Sequence, residues 1–165
     1  KRVQFLRIYS EMNGGESMRV STRGEYGVRA MFDLALHAGE GAIALKTIAE
    51  RQVISEHYLE QLMAALRKAG LVKSKRGAQG GYELADAPEN VSIGQIIRVL
   101  EGPITPLDCL DSATGTGPYC QTPERCVLRN LWRELQDSMK QVLDNTTLDD
   151  LRQDAYRLEV THEHE

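Results

Sequence analysis

The chain is short of cysteine, of long apolar stretches and of net positive charge, and each shortage removes a class of protein. Its 165 residues include three cysteines, an odd number that cannot close into a full set of intrachain disulfides. No secretion signal is recognisable at its start, so a reduced, cytoplasmic protein is expected. No apolar run approaches the ~20 residues that cross a bilayer as a helix, so no membrane partner is expected. The chain has no Cys-x-x-Cys pair and no recognisable Ser/His/Asp arrangement, which makes a small redox enzyme or electron carrier the weakest reading and favours a non-enzyme. The formal net charge is −4, which alone argues against nucleic acid.

The distribution of charge reverses that last inference. Between Lys46 and Arg76 stand seven bases (Lys46, Arg51, Arg67, Lys68, Lys73, Lys75, Arg76) against three acids (Glu50, Glu56, Glu60), a net of +4 that leaves about −8 elsewhere. A basic face on an acidic protein is the footprint of phosphate contact; an ordinary solvated surface is the alternative.

Residues 1–17 lack helical or strand periodicity and are expected to be a disordered extension or an upstream segment. From Met18 onward the pattern is regular. A first helix is predicted over about 22–37, with Val28, Met31, Phe32 and Ala35 on one side and Gly39 to Gly41 ending it. A second, over about 45–52, presents Leu45, Ile48 and Ala49. Ser55 then offers an N-cap, and Leu59, Leu62, Met63 and Leu66 recur at helical spacing, predicting about four turns that stop at Gly70. Leu71–Ser74 and Tyr82–Leu84 read as two short strands around a glycine-rich tip. Ser92 caps a further helix carrying Ile93, Ile96, Ile97 and Leu100. The expected fold class is mainly α: a winged helix-turn-helix DNA-binding domain over 18–102, with a small β-hairpin wing as its only sheet and a long C-terminal dimerisation helix.

All three cysteines, Cys109, Cys120 and Cys126, fall in or at the edge of a turn-rich loop over 103–126. Their spacing, Cys-x10-Cys-x5-Cys, does not match the tight pairs of zinc ribbons. Thiolates in threes and fours also hold iron-sulfur clusters, and free thiols in a flexible loop are the alternative. Beyond the loop, Leu128, Trp132, Leu135, Met139 and Val142 alternate steps of four and three, an a/d seam within residues 127–152. A helix from a second subunit would bury it; packing on its own domain is the competing reading. Thr147 and Asp150 suggest a cap for one last short helix, with 153–165 a frayed tail.

Two such modules in a dimer would place their reading helices in successive major grooves, roughly 34 Å apart on a pseudo-palindromic site. With the leucines facing in, Ser55, Glu56, His57, Tyr58, Glu60 and Gln61 are predicted to face out. Ser55 and His57 can donate to phosphate or base edges, Gln61 suits adenine, and Glu60 can accept from cytosine. Arg76, followed by Gly77, is placed to enter a minor groove, while Lys73 and Lys75 neutralise phosphates.

In the runs Met18–Tyr26, Tyr58–Leu62, Leu66–Val72, Arg76–Tyr82 and Cys126–Trp132, the chain resembles the Rrf-type bacterial winged-helix regulators, over nearly all of 18–151. The resemblance implies a homodimeric transcription factor on double-stranded DNA, with Ser55, His57 and Glu60 in major-groove positions and Arg76 and Gly77 in the wing. In cluster-binding members three loop cysteines ligate iron, matching Cys109, Cys120 and Cys126 and implying a 2Fe-2S or 4Fe-4S centre. The pattern departs in the long first gap and at Arg129, where some members place a histidine ligand; an arginine cannot ligate. In other members an acidic residue of the opposite subunit completes the site, and Glu25 holds the matching position; an exposed first-turn glutamate is the alternative. The expected function is a regulator whose DNA affinity follows its cluster. The alternative is a cluster-free repressor of sulfur or cysteine metabolism, controlled by a partner such as a metabolic enzyme or by thiol oxidation.

Overall fold

The computed structural model describes residues 21–77, 80–110 and 126–162. Helix α1, Thr22–Leu36, begins where the Ser21 hydroxyl accepts from the amides of Arg23 and Gly24, satisfying donors that a helix start leaves orphaned. Its inner face, Ala30, Met31, Leu34 and Ala35, is sealed from solvent. Gly27 leaves room for Leu100: a Cβ there would lie 1.9 Å from Leu100 Cδ1, so an added side chain would displace the end of that leucine.

Helix α2, Leu45–Gln52, buries Ile48 and Ala49 and ends at Val53, whose φ of 56° is left-handed. That conformation reverses the chain within three residues, and helix α3, Glu56–Lys68, starts under a cap from Ser55 Oγ to the Tyr58 amide. Leu59, Leu62, Met63 and Leu66 are its buried residues, as the spacing predicted. Strands β1, Val72–Lys75, and β2, Gly81–Leu84, pair antiparallel with Val72 opposite Leu84 and Lys75 opposite Gly81. The hairpin is not free-standing. Ile43 and Tyr82 exchange two backbone hydrogen bonds of 2.8 Å, fixing the wing to the segment between α1 and α2.

Helix α4, Ile93–Glu101, opens on a reciprocal box between Ser92 and Gln95 and turns Ile93, Ile96, Ile97 and Leu100 into the core. Helix α5, Leu128–Asn145, lies against α4. Two polar bonds fasten it: Gln136 Nε2 donates to Ile104 O at 3.1 Å in a buried position, and Arg98 meets Asp144 at 2.6 and 2.7 Å. Arg98 holds the Asp144 carboxyl below the ordinary carboxylate range. Helix α6, Leu148–His162, is longer than the short terminal helix expected from sequence, and covers residues predicted to fray. Its first turn is capped by Thr147 and Asp150 in both directions, Leu148 is fully buried, and the helix packs on α1. Among the described residues no helix is long and apolar enough to cross a membrane.

Candidate nucleic-acid interface and cysteine loop

One polar cluster fastens the end of α2, just before the chain turns into α3. Asp33 on α1 is 2% exposed, and a buried carboxylate is tolerated only when partnered. Gln52 Nε2 donates to its Oδ1 at 3.0 Å and Arg51 Nη1 to its Oδ2 at 3.3 Å. Arg29, also on α1, donates to the Gln52 carbonyl and lies 5.6 Å from the Tyr26 ring centre. The last turn of α2, immediately before the reversal into α3, is thereby bolted to α1.

On α3 the side chains of Ser55, His57, Glu60 and Gln61 are exposed together, as predicted. His57 and Gln61, one turn apart, meet at 3.3 Å between their Nε2 atoms. Tyr58 departs from the outward expectation. It is half-buried, packs on the core and meets Tyr26 edge-on at 6.1 Å, because the ring's area outweighs its place in a polar first turn.

The wing distributes its charges unequally. Lys75 Nζ pairs with Glu83 at 2.9 Å and Lys73 Nζ donates to Ala85 O at 3.0 Å, so both lysines expected at phosphates have partners within the hairpin. Arg76, beyond the strand, is exposed. Gly77 follows with φ 112°, a left-handed conformation that a side chain resists. Arg67, at the far end of α3, reaches Ser74 on β1 at 3.2 Å and ties helix to wing; sequence reading saw it only as one base of a run.

Cys109 sits in a 3-10 turn, Asp108–Leu110, against α5, and Cys126 immediately precedes that helix; both are half-buried free thiols. Cys120 lies outside the described residues. Among the described residues no three His, Cys, Asp or Glu side chains converge as a metal site. Arg129, one turn after Cys126, keeps its Nε buried without a hydrogen-bond partner among the described residues. Glu25 is exposed on the first turn of α1, 3.7 Å from Arg29.

The predicted seam divides between two faces of α5. Met139 and Leu143 pack on the protein's own core, and Trp132 is half-buried. Leu128, Leu131 and Val142 are 57%, 55% and 64% exposed, with half-buried Leu135 between them. Leu131 was not among the predicted seam residues, although its spacing from Leu128 and Leu135 fits an a/d row equally well.

A helix-turn-helix braced on a third helix and joined to a basic hairpin defines the winged-helix class of transcription regulators. The family model of Rrf2, described as an iron-dependent transcriptional regulator, matches residues 20–154, and the chain belongs to that family. The transcriptional regulator CymR of Bacillus subtilis is 49% identical over 134 residues, covering 81% of this chain and 89% of its own. The solved structure of that protein, titled the global cysteine regulator, superposes with a TM-score of 0.70 at 47% identity over 83% of this chain and 98% of its own. The structure of T. potens IscR gives 0.70 at 50% identity, over 84% and 89%.

Proposed function

We propose that this regulator reads double-stranded DNA as a homodimer, with α3 in the major groove and Arg76 in the adjoining minor groove. The observation that carries the reading is the exposed polar row Ser55, His57, Glu60 and Gln61 at the start of α3, which follows an α2 end fastened to α1 through Asp33 and Arg29, beside an arginine at the wing tip. Exposed donors and acceptors on a fixed helix suit base edges, and an arginine on a narrow tip suits a narrow groove. The apolar row Leu128, Leu131, Leu135 and Val142 is the surface on which a second copy would close.

The same reading places an iron-sulfur cluster at Cys109, Cys120 and Cys126, with Glu25 of the partner subunit completing the set. Two observations support the fit. The donors are soft thiolates of the kind that such clusters take, and the buried Arg129 Nε is an N–H donor in want of an acceptor one turn from Cys126, which a cluster sulfide provides. When bound, the cluster supplies a centre responsive to oxidants or nitric oxide. The chain's own part is to hold the thiols at the root of the seam helix, so that a change there reaches the spacing of the two reading helices. A second reading, thiol-based control without a cluster, draws on the high identity to CymR.

Anaerobic reconstitution followed by titration of duplex DNA tests both. Visible absorbance lost in each single cysteine-to-alanine variant, with DNA affinity changing alongside it, is the expected result. Glu25→Ala is expected to leave an altered, faster-decaying chromophore. Protein free of iron and sulfide that still binds DNA would favour the second reading, and a parent spectrum in Glu25→Ala would remove only that ligand.

A further inference from the structure

The contact between His57 and Gln61 carries a consequence for base reading that neither side chain has alone. Both contacting atoms are nitrogens, 3.3 Å apart on the exposed face of α3. Two N–H groups cannot bond to each other, so one nitrogen must be the acceptor. An amide nitrogen only donates, and the acceptor is therefore the lone pair of His57 Nε2, with the imidazole proton on Nδ1. In that state Gln61 spends one N–H on His57 and turns its Oε1 and remaining N–H outward. An acceptor beside a donor is the pattern that pairs with adenine N6 and N7.

Protonation of His57 places a hydrogen on Nε2 and removes the acceptor. The amide then keeps its partner by rotating half a turn, so that Oε1 accepts from the imidazolium and both N–H groups face out. Two donors match guanine O6 and N7. Building on the DNA-reading role above, we propose that His57 is a positioning residue for Gln61, and that its proton decides whether the recognition helix prefers adenine or guanine at the contacted base pair.

On α3 the flanking charges are Glu56 and Glu60, both exposed. On the elements packed around α3, Arg29 is bonded to Gln52, Arg51 to Asp33, Lys46 to Glu50 and Arg98 to Asp144, while Glu101 accepts from Ser21. In the wing Lys73 and Lys75 are held by Ala85 and Glu83, and Arg76 stands at the tip.

The test uses the full-length protein and a pool of randomised duplexes long enough for two half-sites one helical turn apart. Sequences are selected at about pH 8, where imidazole is largely neutral. The consensus is then resynthesised with adenine or guanine at each position, and the affinity ratio is measured at about pH 8 and pH 5.5. A positive charge on His57 strengthens binding to both duplexes, so the ratio rather than the affinity reports the amide. At one position the adenine-to-guanine ratio is expected to fall about tenfold on acidification, within the discrimination of a bidentate contact. In His57→Leu and in Gln61→Leu, both changes on the exposed surface, the ratio is expected to be independent of pH. A pH-invariant ratio in the parent, or an undiminished shift in His57→Leu, overturns the proposal. Failure to select any sequence would instead remove the DNA-reading role on which it rests.

Discussion

At the scale of single residues, two positions carry sharp expectations. Among the described residues Arg76 is the wing cation without a partner inside the hairpin, whereas Lys73 and Lys75 are held. Arg76→Ala is therefore expected to weaken DNA binding by about 1–2 kcal/mol and to flatten preference where the wing meets a narrow minor groove. Lys75→Ala is expected to change affinity less, because Glu83 already offsets its charge. Titration at fixed salt separates the two, and equal losses would contradict the assignment. Val53 makes the opposite case. It is 84% exposed and left-handed, so it bears the steric cost of that conformation with little packing in return. Val53→Asn is expected to gain about 0.5–1 kcal/mol, and a thermal midpoint no higher than the parent's would show that the turn is unstrained.

At the scale of elements, most of the fold was legible in the sequence because its signals are local. Ser55, Ser92 and Thr147 each announce a helix start through a side chain that bonds within three residues, and the leucine spacing of α3 names its buried face directly. What was hidden depends on partners distant in the chain. Asp33 carries no sign in the sequence of the partners Arg51 and Gln52 that let it be buried, and Tyr58 reads as an outward-facing residue until Tyr26 takes its ring. Nothing near Lys75 reveals that Glu83 will stand across the hairpin. The seam was legible as an amphipathic helix, but its two stripes have similar spacing, and only the docking of α5 on α4 tells which one the domain keeps. That docking is partly electrostatic. Arg98 holds the Asp144 carboxyl below the ordinary carboxylate range through their hydrogen bonds, so the pair contributes fully above about pH 4 and its contribution is lost as pH falls through the depressed folded value. Because both partners are more than a third exposed, the pair is worth about 0.5 kcal/mol at low salt. Asp144→Asn is expected to lower stability by that amount at neutral pH and by less in strong acid, as the parent's carboxylate takes up its proton. Denaturant midpoints at the two pH values check it; an equal deficit at both would assign the loss to packing.

At the scale of the whole molecule, the proposed dimer rests on the exposed face of α5. Leu131 is exposed and Met139 packs on the core, so charge at the two positions should act through different routes. Leu131→Glu is expected to yield a folded monomer by sedimentation, with DNA affinity reduced at least about tenfold through loss of the second half-site. Met139→Glu is expected to lower stability first. A folded dimer in Leu131→Glu would move the interface elsewhere.

The buried bond from Gln136 to Ile104 has a further meaning for the cysteines. It joins two points 32 residues apart and so closes a large ring of chain, with Cys109, Cys120 and Cys126 all strung between its ends. Much of the entropy of bringing those ends together is spent when the protein folds. A ligand shared by the thiols then meets a shortened search rather than an open chain, and binds tighter for reasons unrelated to its own bonds. By the same accounting, removing that single amide would slacken the ring and weaken the binding of any ligand that the thiols share.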